Sequence, residues 1–203
     1  MREPTRSMWE KQNQHEGDRQ RLFTAVEGWT DAERVLYPGS GVDVAASMAF
    51  PHVTYLDSDK QVKKFFGDAD GVAEIIDEES HTYDFISGDY TKKVDLKDAS
   101  FDLLISLSAG FVSEHCTQFL KVGGFLLVNP SHGDASMASI DERYDFRGVV
   151  VHRESQYSVS NMHLENYFIP RKPLDITVEY LHGLGRGVGY TRTPFAYMFE
   201  RTS

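Results

Sequence analysis

Short apolar runs alternate with helical segments along the chain from residue 18 to about residue 130. Five runs have the length and composition of strands, at residues 34–37, 52–56, 83–86, 101–107 and 125–128. The run from Phe101 to Leu107 is almost continuously apolar, which is typical of a central parallel strand covered on both faces. The alternation predicts βαβ units with right-handed crossovers. The expected fold is therefore α/β, with a doubly wound, mostly parallel sheet and helices on both faces.

Apolar residues at helical spacing mark the segments between these strands, and further elements follow in the last third of the chain. Helices are predicted at residues 18–29, 44–50, 62–66, 72–76, 112–120, 135–144 and 174–183. Further strands are predicted at residues 149–152, 157–160 and 194–199. Residues 1–17 are a polar N-terminal arm, either frayed or a surface helix. Because no long linker separates these parts, we expect one domain spanning residues 1–203.

The charge balance limits the partners that the chain can have. Its 203 residues carry a formal net charge of −10, and such a surface repels the phosphates of nucleic acids and anionic membranes. The single cysteine, Cys116, cannot form an intrachain disulfide. No apolar signal segment opens the sequence, and no stretch approaches the roughly 18 apolar residues of a membrane span. We therefore expect a soluble, cytoplasmic protein that binds neither nucleic acid nor membrane.

The loop after the first strand is rich in glycine. It reads Tyr37-Pro38-Gly39-Ser40-Gly41-Val42-Asp43. Because glycine has no Cβ, Gly39 and Gly41 let the backbone approach a ligand closely. The free N–H groups of the predicted helix at 44–50 would then face an anion such as a carboxylate. The alternative is an ordinary tight turn between a strand and a helix.

Polar side chains also follow the next two strands. Asp57 ends the second strand, where a carboxylate can accept hydrogen bonds from both hydroxyls of a ribose. Asp89 and Tyr90 end the third strand, where they can bind an adenine amino group and pack against the base. The alternative is a helix N-cap by Asp57, Ser58 or Asp59, and for Asp89 taken alone a solvated turn is the better interpretation. Because ligands bind beyond the carboxyl ends of parallel strands, the three positions together favour a ligand that carries a nucleoside.

Two common nucleotide motifs do not fit. A dinucleotide fingerprint requires glycine at its sixth position, where this chain has Val44. That valine argues against a nicotinamide-dependent reductase, which we keep as one alternative function. The sequence also lacks the G-x-x-x-x-G-K-[ST] loop of nucleotide triphosphatases.

The order of these motifs resembles the class I S-adenosylmethionine-dependent methyltransferases over residues 18 to 130. The segments that carry the resemblance are Val35-Leu36-Tyr37-Pro38-Gly39-Ser40-Gly41, Thr54-Tyr55-Leu56-Asp57-Ser58, Phe85-Ile86-Ser87-Gly88-Asp89-Tyr90, Phe101-Asp102-Leu103-Leu104-Ile105-Ser106 and Phe119-Leu120-Lys121-Val122-Gly123-Gly124-Phe125-Leu126-Leu127-Val128. The resemblance implies a seven-stranded sheet whose C-terminal strand is antiparallel. It also implies S-adenosyl-L-methionine as cofactor and transfer of its methyl group to an acceptor, which we expect to be a small molecule.

The resemblance also assigns roles to individual residues. Its implied cofactor contacts are Tyr37, Gly39, Ser40 and Gly41 at the methionine part, Asp57 and Ser58 at the ribose, Asp89 and Tyr90 at the adenine, and Ser106 near the methyl group. Tyr37 stands where the family has an acidic residue, and Asp43 where it has a third glycine. A protein that binds the nucleoside without catalysis is therefore the alternative function.

A base for the acceptor would come from the segment after the fifth strand. His132 and Asp134 stand there and could remove a proton from an acceptor nitrogen or oxygen. The alternative is a turn in which Asp134 caps the next helix. No cluster of His, Cys and carboxylates has metal-ligand spacing, so we expect no metal. Glycines 183, 185, 187 and 189 mark a later segment as either a mobile lid or a plain connector.

Overall fold

The computed structural model describes residues 1–76 and 79–203, which contain an eight-stranded sheet. The strands are β1 Arg34–Pro38, β2 His52–Asp57, β3 Thr82–Ser87, β4 Phe101–Ser106, β5 Leu120–Val128, β6 Tyr144–Arg153, β7 Gln156–Ser160 and β8 Ala196–Arg201. Their order in the sheet is β3-β2-β1-β4-β5-β8-β6-β7. Strands β1 to β5 are parallel, and β8 lies antiparallel between β5 and β6. The predicted fold class is confirmed, with one strand more than the seven that the family resemblance implies.

Seven α-helices surround this sheet in the described residues. They are α1 Glu3–Gln12, α2 Asp18–Thr30, α3 Lys60–Phe66, α4 Ala69–Ile76, α5 Val112–Cys116, α6 Asp134–Ile140 and α7 Val178–Leu184. Short 3₁₀ helices lie at Ala45–Met48, Thr117–Phe119, Ser131–Gly133 and Leu164–Asn166. Across residues 1–76 and 79–203, no helix combines the length and the apolar character that a bilayer span needs.

The two faces of the sheet are covered by different helices because strand side chains alternate in direction. In β1, Val35 and Tyr37 join a core cluster with the apolar faces of α2, α3 and α4. Leu36 points the other way and joins a second cluster with α5 and α6. The buried Cys116 belongs to that second cluster. Because β1 to β5 are parallel, their carboxyl ends meet at one edge of the sheet.

The predicted helix at residues 44–50 is wrong. The structure has only the 3₁₀ helix Ala45–Met48 there. The Tyr55 hydroxyl, which is buried, accepts a hydrogen bond from the Ser47 N–H over 3.1 Å and lies 3.2 Å from the Val44 carbonyl to which it donates. The Ser47 N–H also donates to the Val44 carbonyl over 3.0 Å, which is the i→i−3 bond of a 3₁₀ turn, so the Tyr55 hydroxyl adds bonds from the neighbouring strand to this turn.

The boundaries of two other predicted helices also differ. The glycine pair Gly123-Gly124 lies inside β5 instead of ending a helix, because α5 stops at Cys116 and the strand already begins at Leu120. Helix α6 ends at Ile140, and Tyr144 opens β6 instead of closing the helix.

The N-terminal arm is a helix along most of its length. Its Thr5 is buried, and the Thr5 hydroxyl donates to the Asp68 carboxylate over 2.7 Å. The arm therefore docks beside α4 through a polar contact that no apolar pattern could indicate.

Candidate functional site

The glycine loop is tied to the end of the neighbouring strand β2. The Gly39 N–H donates to the Leu56 carbonyl over 2.8 Å, and the Gly41 N–H donates to the Asp57 carboxylate over 2.9 Å. Gly39 and Gly41 both have positive φ, at 62° and 59°, a conformation that other residues adopt only with strain. The loop is therefore held in one conformation by backbone bonds and a carboxylate at the C-terminal edge of the sheet.

Asp57 is half-buried, and both of its carboxylate oxygens bind backbone N–H groups. One oxygen accepts from Gly41, and the other accepts from the Asp59 N–H over 2.8 Å. The N-cap of α3 is Asp59, whose carboxylate accepts from Gln61 over 2.6 Å. The alternative of a helix N-cap in this segment is thus confirmed at Asp59 and not at Asp57. Ser58 is exposed beside it.

Asp89 and Tyr90 lie at the same edge, since the Gly88 N–H donates to the Asp57 carbonyl over 3.0 Å. The Asp89 carboxylate accepts from the N–H and the hydroxyl of Thr91 over 3.0 and 2.7 Å, and these bonds lower its pKa. The Tyr90 hydroxyl donates to the Ala109 carbonyl, and burial raises the pKa of Tyr90 to about 12. Tyr90 therefore reaches from the end of β3 to the segment after β4.

The space beside the two loop glycines differs sharply. A Cβ placed on Gly39 would lie 2.5 Å from the Cβ of Ala109, so the chain's own segment after β4 fills that position. A Cβ placed on Gly41 would have nothing within 4 Å. The site is thus open to a ligand at Gly41 and closed at Gly39.

Tyr37 and Asp43 form a buried cluster with Arg19 of α2. The Tyr37 hydroxyl donates to the Asp43 carboxylate over 3.2 Å, and the Arg19 Nε lies 3.3 Å from the same oxygen. Burial raises the pKa of Asp43 and of Tyr37. The Ala45 N–H donates to the other Asp43 oxygen over 3.3 Å. The N–H groups of this segment were predicted to face a ligand anion. One of them, that of Ala45, binds the Asp43 carboxylate of the chain itself.

Asp134 is fully buried and bonded to two serines. It accepts hydrogen bonds from the Ser106 hydroxyl, and from the hydroxyl and N–H of Ser113 over 2.5 and 3.2 Å. Burial raises the pKa of Asp134 to about 6. No side-chain bond caps α6, so the predicted cap at Asp134 is wrong. Asp134 instead joins the end of β4 to the start of α5, and its side chain and that of Ser106 face the interior.

His132 differs from Asp134 in being exposed. It lies in the connection between β5 and α6 and has a positive φ of 58°. The connection begins at the C-terminal edge, where the Asn129 carboxamide oxygen accepts from the Ser108 N–H over 3.2 Å. His132 and the glycine loop therefore belong to the same edge of the sheet.

The structure adds a polar cavity that sequence reasoning missed. Its volume is about 340 Å³, and it is lined by Gln12, Asn13, His15, Asp18, Arg19, Asn129 and Phe195. Asn129 directly follows the fifth apolar run, and Phe195 lies in the strand predicted at residues 194–199. The other residues come from the polar N-terminal region, and no pattern in the sequence indicates that they meet these two. Arg19 connects this cavity to the Asp43 cluster.

Metal-ligating side chains do not gather at this edge. Within the described ranges, no three His, Cys, Asp or Glu residues converge in a way that could hold a metal ion.

Solved structures of methyltransferases have a similar fold. A provisional O-methyltransferase from Klebsiella pneumoniae is 11% identical, with a TM-score of 0.52 over 78% of this chain and 88% of that one. A provisional S-adenosyl-L-methionine-dependent methyltransferase from Methanococcus maripaludis is 14% identical, with a TM-score of 0.49 over 62% of this chain. This chain spans 61% of the Methanococcus protein, which is less than two thirds. No family model matches the sequence, and no curated protein matches it.

The strand order and the Klebsiella likeness together define the class of fold. The chain has the Rossmann-like fold of class I S-adenosylmethionine-dependent methyltransferases, with the parallel strands β1 to β5 and an antiparallel β8 inserted beside β5. At 11% identity the likeness establishes the fold alone and assigns no reaction to this chain.

Proposed function

We propose that the protein binds S-adenosyl-L-methionine at the C-terminal edge of β1 to β4 and transfers its methyl group to a small-molecule acceptor. The observation that carries this proposal is the Asp57 carboxylate, which is bonded to the Gly41 N–H and lies beside the open space at Gly41. The Asp57 carboxylate is half-buried, and Gly41 beside it has no side chain to block the approach of a ligand. This arrangement suits a polar ligand that lies close to the glycine loop.

The fit of the cofactor is good at one end and poor at the other. A carboxylate has about four lone-pair positions, and two described bonds leave Asp57 able to accept from ribose hydroxyls. Ser58 and Asp89 would bind on either side of it. Beside Gly39, however, Ala109 fills the space that the methionine part would need. Contacts from Gly39 and Ser40 would therefore require the segment after β4 to move away.

The bound cofactor supplies a methyl group on a positively charged sulfur, and the sulfur leaves as a neutral thioether. The protein would then contribute mainly alignment and exclusion of water. The exposed His132 is the better placed of the two predicted bases to accept a proton from the acceptor. Asp134 is bonded to Ser106 and Ser113 and would act as a positioning residue that holds β4 and α5 together.

A second candidate is a nucleoside-binding protein without catalysis. Two observations favour it: Ala109 fills the space beside Gly39, and the Asp43 carboxylate accepts from the Ala45 N–H directly after the loop. Both features reduce the room for the methionine part without affecting Asp57. In this candidate the adenosine part binds, and no methyl group is transferred.

Calorimetric titration with S-adenosylmethionine, S-adenosylhomocysteine and NAD tests both candidates. Release of S-adenosylhomocysteine is then measured with a panel of small acceptors. Binding of the first two ligands with release of product supports the methyltransferase. Binding without release on the panel supports the second candidate. Failure of both adenosyl ligands to bind would overturn the methyltransferase, and preferential binding of NAD would favour a reductase.

A further inference from the structure

A cavity of about 440 Å³ lies between the chain segment 170–174 and the loop 184–189. Helix α7 forms one wall through Tyr180 and Leu184. Its volume is that of a small-molecule site. None of the proposed cofactor contacts lines it, so it is a separate feature of the fold.

Every charged side chain that lines this cavity is a cation. These residues are Arg171, Lys172 and Arg186, in a chain whose net charge is −10. The ion pairs among the described residues involve none of the three. Three cations around one cavity create a local positive potential against the general charge of the surface, and this favours an anionic ligand.

Arg171 is held in place by the backbone on the other side of the cavity. Its Nε donates to the Tyr190 carbonyl over 2.9 Å, and its own N–H donates to the Gly189 carbonyl over 3.0 Å. The bond at Nε orients the guanidinium group, and the N–H groups of its two terminal nitrogens can donate to a ligand. A planar guanidinium that is oriented in this way can bind a carboxylate or a phosphate through two parallel bonds.

The rest of the lining is largely apolar. It includes Leu174, Tyr180, Leu184 and Val188, together with two prolines, Pro170 and Pro173. Leu174 is 38% exposed, so part of its apolar side chain is accessible to a ligand. A ligand that fits this lining has an apolar body as well as an anionic group.

The cavity adjoins the edge of the sheet that carries the proposed site. A Cβ on Gly187 would lie 2.0 Å from the Pro130 carbonyl oxygen, and one on Gly133 would lie 3.2 Å from the Arg186 carbonyl oxygen. The loop 184–189 therefore packs directly on the connection between β5 and α6, which contains His132. A ligand in the cavity would be separated from that connection only by this loop.

We infer that this cavity binds a small organic anion with an apolar body. The inference is independent of the proposed function, because the loop 184–189 separates the cavity from the connection that contains His132. The carboxylate or phosphate would face Arg171 and Arg186, and the apolar body would pack on Leu174 and Tyr180.

Binding of three matched probes tests this inference without the cofactor. Phenylacetate and phenyl phosphate carry the anion, and benzyl alcohol is the neutral counterpart. Calorimetry on the wild-type protein is expected to show at least one anionic probe binding about tenfold more tightly than benzyl alcohol. The ratio of the two anionic affinities distinguishes a carboxylate ligand from a phosphate ligand.

Variants locate the binding. Arg171→Gln with Arg186→Gln is expected to remove the preference for the anion, and Arg186→Gln alone to reduce it, since it leaves the Arg171 backbone bond intact. Lys63→Gln, an exposed change on α3, is the matched control and should bind as the wild type does. Thermal unfolding checks that each variant is folded.

Three results would overturn the inference: equal binding of all three probes, no saturable binding of either anion, or full binding by Arg186→Gln and the double variant. Anion binding by a protein that fails to bind S-adenosylhomocysteine would instead preserve the cavity as a ligand site and overturn only the proposed function. Failure of the inference and failure of the proposed function are therefore distinguishable.

Discussion

The carboxylate of Asp57 accepts a hydrogen bond from the backbone N–H of Gly41 over 2.9 Å. This bond joins the end of β2 to the loop after β1, across the edge where the proposed ligand binds. It orders the loop before a ligand arrives, and an ordered site loses less conformational freedom on binding. Asp57 consequently has two roles in the account, as a loop anchor and as a ribose ligand.

The Asp57→Ala variant tests where the ligand binds. It is expected to weaken binding of S-adenosylhomocysteine by about 1–3 kcal/mol, because it removes the proposed ribose acceptor and the Gly41 bond. The neighbouring Asp59→Ala is the control. It removes the N-cap of α3 and should cost about 1 kcal/mol of stability without changing ligand affinity. Calorimetry and urea unfolding measure the two effects, and equal affinity of both variants would contradict the placement of the site.

Alanine at three glycines tests the geometry of the loop. Gly39→Ala is expected to destabilise the protein by several kcal/mol, roughly the sum of backbone strain and the overlap with Ala109. Gly41→Ala meets no atom within 4 Å, so only strain of about 1 kcal/mol is expected, together with weaker ligand binding. Gly28→Ala in α2 has free space and should stabilise the protein by about 0.5–1 kcal/mol. Urea unfolding gives the three values, and a Gly39→Ala variant as stable as Gly28→Ala would refute the packing described.

The Tyr90→Phe variant tests whether the segment after β4 restricts the site. The change removes the bond to the Ala109 carbonyl but keeps the ring that would pack against adenine. Stability should fall by about 1 kcal/mol. Binding of S-adenosylhomocysteine should become tighter, because moving Ala109 away from Gly39 then costs less. Calorimetry on both proteins decides the point, and weaker binding by Tyr90→Phe would show that the bond helps to form the site.

The buried carboxyl of Asp134 predicts a specific pH dependence of stability. Burial raises its pKa from 3.8 to about 6, so the folded state holds the proton more tightly than the unfolded state. Ionisation of Asp134 therefore costs stability, by about 3 kcal/mol once the pH exceeds both values. Relative to Asp134→Asn, the wild type should lose stability between about pH 4 and pH 6 and change little above that range.

Urea unfolding of both proteins across this pH range checks the prediction. Other titrating groups, such as Asp43, are present in both proteins, so their contributions cancel in the difference. A difference that stays constant from pH 4 to pH 8 would show that Asp134 ionises normally.

The strands of the sheet could be predicted because their signal is local. Runs such as Phe101–Leu107 are apolar over the length of a strand, and the residue after each run falls at one edge once the strands are parallel. This placed Asp57 and the glycine loop together, which the Asp57 bond to Gly41 confirms. Helix α2 was predictable for the same reason, since its apolar spacing matches one helical face.

The rest depended on contacts between residues distant in sequence. The segment predicted as a helix at 44–50 contains a 3₁₀ turn whose backbone also bonds the hydroxyl of Tyr55, a residue on another strand. Arg19 pairs with Asp43 from a polar helix start that has no distinguishing pattern. Asp134 binds Ser106 instead of capping a helix, and this bond forms only because the end of β4 and the start of α6 meet in space. Such side-chain pairings are decided by tertiary packing, which periodicity does not encode.

A crystal structure of the protein soaked with S-adenosylhomocysteine would show whether Asp57 binds the ribose. We expect density for the adenosine part beside Gly41, with the ribose hydroxyls within hydrogen-bond distance of the Asp57 carboxylate and Ala109 displaced from Gly39. Density for the ligand at another part of the surface, with Asp57 still bonded only to Gly41 and Asp59, would contradict it.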